Sequence, residues 1–126
     1  MNKQVIKSDS APAAIGPYSQ AVKFGDMYFL SGQIPIEPSA GKITVFTIEE
    51  QTHQVLKNIK SLLADNKMTL ANVLKTTVFV KNIEDFMKIN EIYSQYFTEN
   101  YPARSLVEVS RLPKDALIEI ECICAD

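Results

Sequence analysis

Two opposite charges lie within the apolar C-terminal part of the chain. Arg104 opens one run rich in apolar residues, and Glu119 lies inside a second run that ends at Ile123. A charge removed from water needs an opposite charge, hydrogen-bond partners or a ligand. The two side chains are therefore candidates for a site that binds a small charged molecule.

The elements expected to position these charges are two antiparallel strands between Pro102 and Glu121, joined by a turn at Pro113-Lys114. Side chains alternate between the faces of a strand. One face is expected to lie under the helices and to comprise Ser105, Val107, Val109, Ile118, Ile120, Cys122 and Cys124. The other face then comprises Arg104, Leu106, Glu108, Ser110, Leu117, Glu119, Glu121 and Ile123. This pairing places Glu119 opposite Glu108.

The mixed face of this predicted hairpin has two interpretations. One face of an antiparallel sheet can simply be solvated. Leu106, Leu117 and Ile123 nevertheless give it more apolar area than water requires, which favours a subunit interface. In the predicted register Arg104 is roughly 13 Å from Glu119 along the strands. A neighbouring subunit that covers this face could let both groups reach one small molecule.

The preceding residues predict a hairpin, a helix, a strand and a second helix. Strands 19–24 and 27–31 flank the turn dipeptide Gly25-Asp26. Thr47 and Glu50 form a capping-box pattern before a helix over 48–65, and residues 73–81 read as a central strand. Asn82 can cap the second helix. Asn90 lies on its apolar stripe, where its amide either ties the helix to a loop or lies near a substrate. The pattern indicates an α+β fold.

Composition restricts the class of protein. The 126 residues predict a single domain, 1–126, and the net charge of −2 makes nucleic acid an unlikely partner. No signal-peptide core or membrane-length apolar run is present, so we expect no membrane association and a cytoplasmic location. Cys122 and Cys124 are expected in the core, and His53 falls off its helix's apolar stripe. No metal site is predicted, because these residues lack ligand spacing.

Several segments that together run nearly end to end form a recognisable pattern: APAAIGPYSQAV, SGQIP, EEQTHQVLKNIK, VLKTTVFVKNIEDF, the Asn90 region and PARSLVEVSRLPKDALIEIE. Taken together, they resemble the YjgF/RidA family of reactive-intermediate (enamine/imine) deaminases. The resemblance implies a chorismate-mutase-like α+β fold with a mixed six-stranded sheet and two helices on one face. It further implies a homotrimer with a central β-barrel and active sites in clefts between subunits.

The resemblance also implies an activity and the residues that carry it. The expected reaction is cofactor-free hydrolysis of 2-aminoacrylate, 2-iminopropionate or their four-carbon homologues to 2-keto acids and ammonia. Arg104 matches the family's carboxylate-binding arginine, whose planar guanidinium forms two parallel hydrogen bonds to a carboxylate. Glu119 matches the glutamate that directs water, and Tyr18 matches the site tyrosine. Substrate contacts are expected from Ser31, Gly32, Asn90 and the position of Leu106.

One position departs from the family pattern. Leu106 stands where many members have a cysteine, so no thiol chemistry is expected there, although its backbone could contact substrate. Two other functions use the same residues differently. The first is a non-catalytic protein that binds a keto acid or amino acid in the same cleft. The second, an RNA-acting translation inhibitor, is disfavoured by the acidic balance and the lack of an aromatic and basic platform.

Overall fold

A mixed β-sheet forms the central layer of the fold. The computed structural model describes residues 2–126. The strands are β1 (Gln4–Ile6), β2 (Ala21–Phe24), β3 (Met27–Gln33), β4 (Ile36–Glu37), β5 (Lys42–Ile43), β6 (Val73–Val80), β7 (Ala103–Glu108) and β8 (Ile118–Ala125). The helices are α1 (Ile48–Ala64) and α2 (Phe86–Tyr96). Six strands form the main sheet in the order β1-β2-β3-β8-β6-β7, and β4 pairs with β5 separately. The predicted α+β fold with a six-stranded mixed sheet is confirmed.

Both helices cover one face of the main sheet. The predicted cap of α1 is present, since Thr47 accepts a hydrogen bond from the backbone N–H of Glu50. The core contains the buried stripe of α1, including Leu56 and Ile59, together with Ile118 and Ile120 of β8. Asn82 caps a 3₁₀ turn that leads into α2. Within residues 2–126, no helix is long and apolar enough to cross a membrane.

The predicted C-terminal hairpin is wrong. β7 pairs with β6 in parallel, and β8 pairs with the opposite edge of β6 in antiparallel fashion, so β6 separates the two strands. The reason is that β6, α2 and β7 form a βαβ unit, whose crossover helix makes its two strands parallel. The predicted turn at Pro113-Lys114 is a 3₁₀ turn within the connection that carries the chain past β6.

This topology inverts the predicted faces of β7. Arg104 pairs with Thr76 of β6, and Thr76 pairs in turn with Cys122 of β8. All three residues therefore lie on the face that the helices cover. Glu119 aligns with Phe79 on the opposite face. The prediction for β8 itself is confirmed, because Ile118, Ile120, Cys122 and Cys124 are buried. The prediction that Arg104 and Glu119 share a face is wrong, as is the opposition of Glu119 to Glu108.

Candidate active site

The predicted site residues divide between two separate cavities. The first, here called the Glu119 cavity, has a volume of about 770 Å³, and its lining includes Tyr18, Ser31, Gly32 and Glu119. The second, here called the Arg104 cavity, has a volume of about 320 Å³, and its lining includes Asn90 and Arg104. No residue lines both cavities. The chain therefore carries two groups of predicted site residues, here called half-sites, on opposite faces of its sheet.

An irregularity in β3 shapes the Glu119 cavity. Between the pairs Leu30–Cys122 and Gln33–Ile120, β3 has two residues, Ser31 and Gly32, where β8 has only one. This extra residue is a β-bulge, a feature that redirects side chains at functional sites. The Glu119 side chain lies directly against Gly32, where an added Cβ would be 2.1 Å from Oε2. A glycine in this bulge is required for the carboxylate to occupy its position.

The loop before β2 forms the other wall of the Glu119 cavity. Its buried Gln20 side chain accepts a hydrogen bond from the N–H of Ser8 and donates to the carbonyls of Ser8 and Pro12. The Ser31 hydroxyl donates to the carbonyl of Ser19 over 2.6 Å. The Gln20 bonds hold the loop against the N-terminal segment and the Ser31 bond attaches it to β3, while the Tyr18 ring projects from the loop and remains 54% exposed. Tyr18 is thus available to a neighbouring molecule.

The electrostatic environment of Glu119 favours its protonated form. Partial burial is the main cause, and the nearby charge of Glu121 adds to it, so the pKa of Glu119 lies above its usual range. Both carboxylates line the same cavity. A carboxyl group with a raised pKa exchanges a proton more readily near neutral pH.

Helix α2 determines the position of Arg104 in the second half-site. A guanidinium N–H donates to Oδ1 of Asn90 over 2.8 Å, and the guanidinium carbon lies 4.9 Å from the centre of the Tyr93 ring. Within residues 2–126, no carboxylate lies within ion-pair distance of Arg104. The remaining N–H groups are therefore available for an external anion.

The structure places Leu106 differently from the rest of the predicted site. Its side chain is half-buried against the hydrophobic core on the same face as Arg104, and it lines neither cavity. The sequence prediction of the site includes neither Phe86 nor Tyr93, although both rings contact the Arg104 guanidinium. Residues 86, 90 and 93 share one face of a helix, so the pattern indicates that these side chains are neighbours but not that Arg104 lies beside them.

No cluster of three or more potential metal-binding His, Cys, Asp or Glu side chains occurs in the part of the chain that the structure describes. His53, the one histidine in the sequence, contacts the Tyr96 hydroxyl through Nδ1 at 2.9 Å. It lies between the two helices and lines neither of the two half-site cavities.

Comparison with known proteins identifies the family. A family model described as Endoribonuclease L-PSP matches residues 8–126. Reactive Intermediate Deaminase A, chloroplastic, from Arabidopsis thaliana is 45% identical over 123 residues, which cover 98% of this chain and 66% of the relative. The Rid-family protein YyfA from Yersinia pestis is 49% identical, with a TM-score of 0.96 over 99% of this chain and 100% of its own.

A further solved structure, E. coli TdcF with bound serine, is 42% identical and covers 98% of each chain with a TM-score of 0.92. The chain belongs to the YjgF/RidA family. This confirms the family resemblance that the sequence segments indicated, and its relatives include a protein named as a reactive-intermediate deaminase.

Proposed function

We propose that the protein hydrolyses enamine and imine derivatives of small 2-amino acids to 2-keto acids and ammonia, without a cofactor. The observation that carries the proposal is the Arg104 guanidinium, which α2 holds in place without a carboxylate partner in the described chain. Such a group fits a substrate carboxylate. Two relatives support this chemistry: one is named a reactive-intermediate deaminase, and TdcF holds serine, an α-amino carboxylate.

The complete site is proposed to form between subunits of a homotrimer. Arg104 and Glu119 point to opposite faces of one sheet, so a single copy does not bring them together. In a cyclic trimer each interface joins two different surfaces of the chain, and the Arg104 half of one copy can meet the Glu119 half of the next.

The face of the sheet away from the helices supports this assembly. It carries apolar side chains that one subunit leaves partly exposed, among them Phe29, Phe79, Val107 and Ile123. Packing of three such faces around an axis would bury them in a central β-barrel. The pattern of exposure is therefore what a sheet-to-sheet contact requires.

In the proposed reaction, Arg104 holds the substrate carboxylate while the enamine takes a proton at its terminal carbon and becomes the imine. Glu119 accepts a proton from water as the water oxygen bonds to the imine carbon, and the C=N π electrons move to nitrogen. Nitrogen then takes one proton back from Glu119, which restores the carboxylate, and gains a second proton as the aminol loses its hydroxyl proton. The C–N bond then breaks, its electron pair leaves with ammonia, and C=O forms. The net change is imino acid plus water to keto acid plus ammonia.

The test couples a serine or threonine dehydratase to this protein and follows the loss of enamine and imine absorbance. The wild type should exceed the spontaneous rate, and Arg104→Ala and Glu119→Gln should each reduce the added rate by about 10²-fold or more. Lys57→Ala and Glu91→Gln, which change exposed charges on the helices, should retain it. A wild type that adds nothing to the spontaneous rate would refute the proposal.

Two other outcomes are informative. Binding of 2-oxobutanoate that requires Arg104, without any acceleration, would identify a non-catalytic binding protein instead. The description of the family model as an endoribonuclease calls for an RNA control, although the net charge of −2 does not favour a polyanion. Cleavage of RNA that survives Arg104→Ala would identify a separate activity.

A further inference from the structure

The guanidinium of Arg104 rests on an aromatic surface that α2 provides. Its central carbon lies 4.9 Å from the centre of the Tyr93 ring and 5.7 Å from that of Phe86. A cation over an aromatic face is attracted by the ring's negative quadrupole. Phe86 is 40% exposed whereas Tyr93 is only 7% exposed, so the Tyr93 contact is the one shielded from water.

The Tyr93 ring is itself held from two sides. Its hydroxyl hydrogen-bonds the Thr76 hydroxyl over 2.8 Å in the interior, and its ring lies 4.6 Å from that of Phe97. Thr76 is completely buried and is the direct neighbour of Arg104 across the β6–β7 pair. Burial raises the pKa of Tyr93, so its hydroxyl stays neutral and can maintain this bond.

A buried tyrosine could serve only to fill the core, but its hydroxyl argues for a more specific role. Removing two hydroxyl groups from water costs free energy that a mutual hydrogen bond only partly offsets. A phenylalanine at 93 and a valine at 76 would fill nearly the same space without that cost. What the hydroxyl pair provides is a fixed location for the ring relative to the strand that carries Arg104.

We propose that Tyr93 is a positioning residue for Arg104: its ring, anchored through Thr76, supports one face of the guanidinium while Asn90 fixes its edge. This role for Tyr93 rests on the proposed function, in which the anion that Arg104 binds is the substrate carboxylate. Asn90 and Tyr93 are three residues apart on α2, so one helix face sets both contacts. The guanidinium is thereby oriented before substrate arrives, which lowers the entropic cost of binding.

The test compares Tyr93→Leu, Tyr93→Phe and Ile92→Ala. Tyr93→Leu removes the ring, and it should raise KM and the Kd for 2-oxobutanoate about tenfold while kcat changes less than about threefold. Tyr93→Phe keeps the ring but loses the hydroxyl that anchors it to Thr76, so KM should rise by about threefold, less than in Tyr93→Leu. Ile92→Ala is the control, because Ile92 is buried on the same helix and does not line the Arg104 cavity. It should preserve KM.

A second readout does not depend on activity. The Nε–H resonance of Arg104, assigned by its loss in Arg104→Lys, should show a rigid side chain in wild type, a mobile one in Tyr93→Leu and intermediate mobility in Tyr93→Phe. A folded Tyr93→Leu with unchanged KM, Kd and Arg104 mobility would overturn the proposal. So would an equal rise in KM in Ile92→Ala. Should the wild type prove inactive, the deaminase function fails, but Arg104 mobility still decides the role of Tyr93.

Discussion

The carboxylate of Glu119 lies against the Cα of Gly32, so that a methyl group at position 32 would be 2.1 Å from Oε2 and 2.8 Å from Cδ. The contact joins two neighbouring strands at the bulge of β3. Gly32 has an ordinary negative or extended φ, so its role here is to leave space and not to permit an unusual backbone. The structure thus makes one glycine responsible for the location of the carboxyl group.

Gly32→Ala should therefore displace the Glu119 side chain without unfolding the protein. Because a carboxyl group shifted by about 1 Å no longer directs water correctly, we expect a loss of about 10²-fold in kcat/KM in the coupled assay. The melting temperature should change little, since the displaced atoms end a flexible side chain. Gly41→Ala is the matched control: its φ of 70° is strained for alanine, but nothing lies within 4 Å. It should lose stability and keep activity, and the reverse pattern would contradict this account.

Replacement of Glu119 should affect stability in a pH-dependent way. The raised pKa of Glu119 means that the folded protein binds this proton more tightly than the unfolded chain does. The stabilisation is complete below the unfolded pKa and is lost as the pH rises through the folded pKa. Glu119→Gln cannot ionise. Its melting temperature relative to wild type should therefore rise as the pH increases from about 4 towards neutrality, by about 1–3 °C, because solvent screens the partly exposed carboxyl group.

Thermal unfolding of both proteins across this pH range measures the effect, with exposed Glu91→Gln as a control that should show no such trend. A trend of opposite sign would show that a cation, such as one from a neighbouring subunit, stabilises the ionised carboxylate in the assembled protein.

How much of this arrangement the sequence predicts depends on the range of the interactions involved. Local patterns are sufficient for α1, its Thr47 cap, the β2–β3 hairpin and the two faces of β8, because each depends on residues a few positions apart. The alternation within β7 is also correct. It groups Arg104 with Leu106, but it does not say which strand lies beside them.

The identity of that neighbouring strand is a long-range property, and it was predicted wrongly. A turn signal at Pro113-Lys114 favoured pairing of β7 with β8, whereas the α2 crossover requires β7 to lie parallel to β6. The error moved Arg104 to the wrong face. The Tyr93 contact was missed for the same reason, since an apolar stripe on a helix does not reveal a cation on the strand below it.

The two cysteines provide a test of the core. Cys122 and Cys124 are 3% and 0% exposed, and burial raises both thiol pKa values, that of Cys124 to about 12. Since the thiolate is the reactive form, neither should react quickly with Ellman's reagent at about pH 8. Both should react after unfolding in guanidinium chloride. Met87→Cys, at a position that is 76% exposed, should supply one rapidly reacting thiol in the folded protein. Rapid reaction in wild type would contradict the burial.

Mixed oligomers give the most direct test of the divided site. Arg104 and Glu119 lie on opposite faces of one sheet, so a cleft that uses both must draw them from different subunits. Arg104→Ala and Glu119→Gln subunits, each inactive alone, should then complement each other. In a trimer that contains both kinds, one interface of the three combines an intact Arg104 with an intact Glu119. Doubly tagged trimers from co-expression should therefore recover about one third of wild-type activity.

Two controls make the result decisive. The separately purified variants, mixed without subunit exchange, should remain at background activity. Doubly tagged trimers of wild type with the double variant Arg104→Ala/Glu119→Gln keep at most one interface with both groups intact, so their activity should not exceed about one third of that of wild type. Sedimentation of the doubly tagged sample must show the trimer. If trimers containing both single variants form and stay inactive, the two groups act within one subunit. The separation of the Arg104 and Glu119 half-sites would then not describe the working enzyme.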